Sequence, residues 1–482
     1  MKYLLTLCCL PLLFSLNAQN LVSATFLGQK TKAELLQEFN NLPFIQFGAK
    51  YYQVAYTTMS VQGVPDTATG LLAIPDQAGR IYPRLVYQHG TSGSKQDVPS
   101  VNVLSGGEGI VGMLFAGLGY VAFLPDYLGL GPKSKGFHPY VHAESEAWAA
   151  TDMLRAGATW LEQEQVTTND QLFITGYSQG GHGAMALHRA VEQDPDQEFT
   201  VTAAAPMSGP YSISGVMRDL ILNDTVYYYP AYIPNTALSY QTVYGNLFND
   251  LTDIFKPVYA SMIGQFYNNN ISLSELNSLL IGALTANEGD SRPFRMLQPA
   301  LVQAVQTNPA HPINLALNDN DTYDKGWLPE APFRLFYCMG DDQVPFRNSL
   351  LARDSFLAKG VTNFQIQDVL PTGDHGECYV PAMTGTIIFF LGFQQIGIVG
   401  VQDPAQTMSL TLSPNPAGQQ VLVSGLKQSG RYELFDMQGK TRQSGALNSS
   451  DPVIQLATIP SGSYLLKIET DAGWVVEKLM VR

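Results

Sequence analysis

The feature that most limits what this chain can become is an alternation of short apolar runs with longer helix-like stretches. Strand-length runs stand at "RLVYQ" (84–88), "YVAFLP" (120–125), "QLFITG" (171–176), "TVTAAAP" (200–206), "FRLFYCMG" (333–340) and "FQIQDVL" (364–370). Between them lie "GGEGIVGMLFAGLG" (106–119), "ESEAWAATDMLRAGATWLEQ" (144–163) and "GGHGAMALHRAVEQ" (180–193), each long enough for a helix. Strands that alternate with helices build βαβ units, whose crossover helices cover both faces of a mostly parallel central sheet. The fold class is therefore α/β. Ahead of this region "TKAELLQEF" (31–39) reads as a short helix, and "YYQVAYTTMS" with "ATGLLAIP" alternates apolar and polar residues up to Pro75, the pattern of an antiparallel pair.

From about 207 to 331 the alternation stops. "VYYYPAYIP", "SYQTVYGNLF" and "SLSELNSLLIGAL", where Ser272 and Glu275 have capping-box spacing, predict a helical, aromatic cap inserted between two strands. Clustered Tyr and Phe suit an apolar ligand, so the cap is expected to lie over a binding site. Residues 397–408, "GIVGVQDPAQTM", lack periodicity and read as a linker. From 409 to 482 short strands punctuated by Gly, Pro, Asn and Asp predict a small all-β sandwich. The main domain is then 19–396. Residues 1–18 form a signal peptide: Lys2, an apolar run from Tyr3 to Leu16 too short to span a bilayer, and small Ala18 at the cleavage position.

Charge narrows the function classes. The net charge of −14 and the absence of any Lys/Arg-rich run argue against nucleic acid or an anionic membrane surface as a partner. Removing the signal peptide takes away Cys8 and Cys9 and leaves Cys338 and Cys378, a pair that an oxidising compartment would join as one disulfide. No paired-His helix spacing and no phosphate loop occur, so neither a metal nor a cofactor is expected. A monomer is expected.

The chemistry centres on "ITGYSQGGHGA" (174–184). Ser178 stands between Gly176 and Gly180, directly after a strand run and before a helix run. That is the context of a nucleophile elbow, where a sharp turn demands small neighbours and presents the serine hydroxyl above the sheet edge. A serine hydroxyl needs a base, and the base an orienting carboxylate. Of the seven histidines at 89, 138, 142, 182, 188, 311 and 375, only His311 and His375 lie far enough downstream, and His311 falls in the insertion. His375 is the base. The acid should follow "FRLFYCMG", which offers Asp341 and Asp342; Asp341 is preferred because its place three residues before Val344-Pro345 resembles the spacing usual in the superfamily described below. Oxyanion donors are expected from the backbone N–H of Gln179 and of Thr91 in "LVYQHGTSG", with Gly90 beside it. His89, Asp126 and Tyr127 read as loop-bracing residues and His182 as a packing residue.

In order, "VAYTTMSVQGVPDTATGLLAIP", "YQHGT", "PDYLGLG", "GYSQGGH", "DDQVP" and "HGEC" resemble the α/β-hydrolase superfamily, and within it the secretory-lipase type of serine esterase, over about residues 50–395. The resemblance implies a Ser178, Asp341, His375 triad, an acyl-enzyme intermediate and a small-molecule or lipid ester as substrate. A serine peptidase of prolyl-oligopeptidase type shares the motif and the triad order, though no propeller-length repeat is visible. A catalytically silent member of the fold, used only for binding, is a further alternative. The tail, with "LSPNPA", "LFDMQGK" and "SGSYLLKIETDAGWVVEKLMVR", resembles the C-terminal sorting domain of type IX secretion in Bacteroidota. It implies the type IX machinery as a partner and a secreted or outer-membrane surface location; a carbohydrate-binding sandwich is the alternative.

Overall fold

The computed structural model describes residues 21–104, 107–399, 410–436, 440–470 and 473–482. The signal peptide and most of the expected linker lie outside the described residues.

A mixed sheet runs through the main domain. Its strands are β1 (Leu21–Lys30), β2 (Ala49–Met59), β3 (Pro65–Pro75), β4 (Arg80–Gln88), β5 (Val121–Pro125), β6 (Thr167–Tyr177), β7 (Thr200–Met207), β8 (Phe333–Tyr337), β9 (Phe364–Asp368) and β10 (Gly397–Ile398). The spatial order is β1-β2-β3-β5-β4-β6-β7-β8-β9, with β10 beside β4. The first three strands join one another and β5 antiparallel, whereas β5-β4-β6-β7-β8-β9 is parallel throughout. The predicted antiparallel pair is β2 and β3. β1, an edge strand whose residues are mostly exposed or half-buried, gives no apolar run and was not predicted. Gly397 and Ile398, assigned to the linker from sequence, pair antiparallel with Ile81 and Arg80 instead.

Alternation sorts the strand side chains to two faces. On β5, Val121 and Phe123 pack into one core with the helices Ala143–Gln163, Gln179–Glu192 and Arg347–Ala358. Ala122 and Leu124 pack into the other, with Gly109–Gly117 and His375–Leu391. Both faces are covered, and the central runs on β5 and β7 are apolar nearly throughout for that reason, whereas the edge strand β9 alternates.

Between β7 and β8 stand the helices of the insertion, among them Tyr232–Tyr244, Pro257–Tyr267, Leu273–Glu288 and Pro299–Thr307. They enclose their own core around Phe255, Ile263, Leu276, Leu280 and Leu284. Ser272 caps its helix in a complete capping box with Glu275. The tail holds a three-stranded and a four-stranded antiparallel sheet around Val421, Leu434, Leu466 and Leu479, the two-sheet arrangement predicted for it.

Candidate active site

Ser178 directly follows β6 and stands at the N-cap of the helix Gln179–Glu192. Its φ of 60° and ψ of −120° lie where a residue with a Cβ is strained, as a sharp strand-to-helix turn requires. The flanking glycines have a steric reason. A Cβ on Gly176 would sit 2.3 Å from the Gly180 carbonyl oxygen, and one on Gly180 would sit 1.9 Å from that of Gln88. The turn closes against β4 with no room for a side chain.

The parallel strands deliver the partners to the same edge. Asp341 follows β8, and its Oδ2 stands 2.7 Å from His375 Nδ1. Its Oδ1 accepts from the Gln343 and Val344 N–H groups, at 3.0 and 2.8 Å, so the "DDQV" turn itself holds the carboxylate. Of the two acids, Asp341 therefore faces the imidazole. Asp342 accepts from the His375 backbone N–H at 3.1 Å and from Tyr229 OH at 3.2 Å. With Asp341 as acceptor at Nδ1, the proton belongs there and Nε2 is left as the basic nitrogen. Tyr177, the residue before Ser178, donates its hydroxyl to the His375 carbonyl and packs its ring 4.9 Å from the imidazole. His375 is thereby seated beside the elbow. Cys338 and Cys378 form a disulfide between the segment after β8 and the first turn of the histidine helix.

The Gln179 N–H, at the start of a helix, is among the donors that an α-helix leaves unpaired. Thr91 lies in the loop after β4, its hydroxyl 3.0 Å from Tyr140 OH. Behind that loop His89 Nδ1 lies 2.7 Å from the Gly90 carbonyl oxygen, and burial pulls its pKa down to about 4. Tyr127 OH donates to the His89 carbonyl. Asp126 is buried and accepts from Ser100 and Thr69; burial raises its pKa to about 6. These residues brace the loop, as the sequence suggested.

His182 does more than pack. Its Nδ1 is 2.7 Å from Glu146 Oε2 and its Nε2 2.9 Å from the Asn320 carbonyl, while Glu146 Oε1 and His138 Nε2 both accept from the Gln179 side-chain amide. Sequence reading missed Glu146 because its partners lie 33 and 36 residues away and its burial has no local signal. It also missed the grip of the cap on the acid loop: Tyr227 OH donates to the Gln343 carbonyl and Tyr232 OH to its side chain. "VYYYPAYIP" was the available signal.

A cavity of about 160 Å³ leads from Ser178 and Gln179 into the cap, lined by Tyr140, Met217, Tyr232, Leu301 and Val344 among others. A more polar recess of about 340 Å³ begins at Thr91 and includes Lys95, Gln96, Asn269 and Glu275.

A mostly parallel sheet with a nucleophile-elbow turn at its C-terminal edge and a cap between β7 and β8 is the α/β-hydrolase fold. The Prolyl oligopeptidase family model matches residues 111–208, which include the elbow, and the Secretion system C-terminal sorting domain model matches residues 411–482. The rice cell wall degrading esterase LipA from Xanthomonas oryzae is 26% identical, with a TM-score of 0.66, over 76% of this chain and 95% of that one. A putative hydrolase from Legionella pneumophila is also 26% identical, with a TM-score of 0.68, over 78% and 98%. Candida antarctica lipase A in its closed state shares the fold at 13% identity and a TM-score of 0.57, over 77% and 81%. The chain is a serine hydrolase of the α/β fold, and its tail is a sorting domain for type IX secretion to the cell surface or the extracellular space.

Proposed function

We propose that this hydrolase is an exported carboxylic esterase, released from its signal peptide after Ala18. Ser178 Oγ attacks the ester carbonyl carbon as its proton passes to His375 Nε2, and Asp341 holds the imidazole and stabilises the imidazolium. The oxyanion is met by the N–H groups of Gln179 and Thr91. The proton on Nε2 then goes to the departing alkoxide, leaving an acyl-enzyme. Water, activated by the same nitrogen, attacks the acyl carbon and frees the acid and Ser178.

The observation that carries the reading is the Asp341–His375 contact at 2.7 Å, on loops that end beside the strained elbow. The apolar cavity at Ser178 favours an ester whose acyl group is longer than acetyl, and the polar recess suits the alcohol portion. The prolyl oligopeptidase match across residues 111–208 supports amide cleavage as a second reading.

The test is turnover of p-nitrophenyl esters from acetyl to palmitoyl, beside prolyl and aminoacyl p-nitroanilides, by residues 19–482 and by Ser178→Ala. Ester turnover that prefers acyl chains beyond acetyl is expected, with kcat reduced about 10⁶-fold in the variant. Faster cleavage of the amides would establish the peptidase reading instead.

A further inference from the structure

The oxyanion loop turns on Gly90, a residue whose backbone is free to rotate unless something holds it. Two peptide planes meet there. The plane between His89 and Gly90 carries the His89 carbonyl, which accepts from Tyr127 OH at 3.0 Å, and the Gly90 N–H, which donates to Glu108 Oε1 at 2.9 Å. The plane between Gly90 and Thr91 carries the Gly90 carbonyl, 2.7 Å from His89 Nδ1, and the Thr91 N–H. Every polar group of the two planes is thus engaged except one. Among the described residues the Thr91 N–H has no partner, and because a trans peptide points N–H and C=O in opposite directions, the His89 contact aims it away from that ring.

Among the described residues, Glu108 is the carboxylate bonded to these two planes. It stands just before the helix Gly109–Gly117 yet caps no N–H of it, and burial raises its pKa. Its second oxygen accepts from Tyr87 OH, and Tyr87 OH lies 3.4 Å from Tyr379 OH on the histidine helix. Tyr379 packs edge-on against Tyr177, 5.0 Å between ring centres. A Cβ on Gly90 would lie 2.9 Å from Glu108 Oε1 and 3.9 Å from the Ser178 Cβ, which sets the carboxylate directly behind the loop at the elbow. Leaving a carboxylate in such a place is costly unless its oxygens are bonded.

We propose that Glu108 is a positioning residue for the oxyanion hole: with Tyr127 on the carbonyl side it clamps the His89–Gly90 peptide from the N–H side, so that Thr91 offers its N–H to the developing oxyanion. The proposal rests on the serine-hydrolase reading of Ser178. Without the carboxylate only Tyr127 holds this peptide, so the Gly90–Thr91 plane that follows it loses its fixed direction and the hole a well-aimed donor in the transition state, while substrate binding is little changed.

The experiment compares kcat and KM for a p-nitrophenyl ester, and the thermal midpoint, in the unaltered chain, Glu108→Leu, Glu108→Gln, Tyr87→Phe and Ser178→Ala. Gln keeps an oxygen for the Gly90 N–H and an amide donor for Tyr87, so it is a conservative rescue. Loss of one oxyanion donor costs about 10²–10³ in kcat, so Glu108→Leu is expected to fall about 100-fold with KM within about twofold, and Glu108→Gln to recover most of that. A folded Glu108→Leu with native kcat overturns the proposal, as does a Glu108→Gln loss equal to that of Leu. Should Glu108→Leu fail to fold, Tyr87→Phe decides: it frees one carboxylate oxygen without emptying the core, and a lowered kcat at unchanged KM supports the proposal while native kinetics overturn it. Turnover that vanishes in Ser178→Ala upholds the hydrolase reading whatever Glu108 does; an unaltered chain inactive on every ester and amide overturns both.

Discussion

Asp341 and Asp342 are adjacent and chemically identical, and geometry alone divides their work. Asp341 accepts two N–H groups from its own turn and faces His375 Nδ1, so it can hold the imidazole tautomer and stabilise its charge. Asp342 holds the His375 backbone and receives a cap tyrosine. Asp341→Asn is therefore expected to lower kcat about 10⁴-fold, because an amide stabilises the wrong tautomer. Asp342→Asn keeps an oxygen for the His375 N–H and is expected to cost less than about tenfold, on the scale of one neutral hydrogen bond. Steady-state kinetics of the two variants check this, and equal losses would contradict the division. The sequence preferred Asp341 only through a spacing to Val344-Pro345 that resembles the superfamily's, and left both acids as candidates. It could not separate Glu108 or Glu146 from surface glutamates, because the groups they serve are 18 to 36 residues distant and only the folded chain half-buries the one and buries the other.

At the scale of elements, β6 and its elbow were legible because fully buried parallel strands read as continuous apolar runs. β1 was not, since an edge strand that packs little apolar surface carries no such run. The disulfide is the covalent element that joins two of the site's supports. It closes a 40-residue separation between the end of β8 and the histidine helix, and both sulfur-bearing residues are fully buried. Cross-linking a loop of that length removes denatured-state entropy worth about 4 kcal/mol. The double variant Cys338→Ala/Cys378→Ala is expected to shift the urea midpoint downward accordingly and to lower kcat, since Asp341 and His375 lie three residues from the two cysteines. An unchanged midpoint would show that the bridge adds nothing.

At the scale of the whole molecule, the proposed site gathers residues from 91 to 375, remote in sequence and brought together because parallel strands all end on one edge. The cap between β7 and β8 has its own core, and three of its tyrosines grip the acid loop. That grip was invisible in the sequence, which located the insertion but not the surface it would meet. The tail was legible from its punctuated strands. The central claim is that Ser178 is an activated nucleophile, and the measurement that bears on it most directly is labelling of residues 19–482 with a fluorophosphonate, followed by mass spectrometry of its peptides. The account predicts one phosphonyl group per chain, carried by Ser178 and abolished by Ser178→Ala; a chain that takes no label, or takes it on another serine, would contradict it.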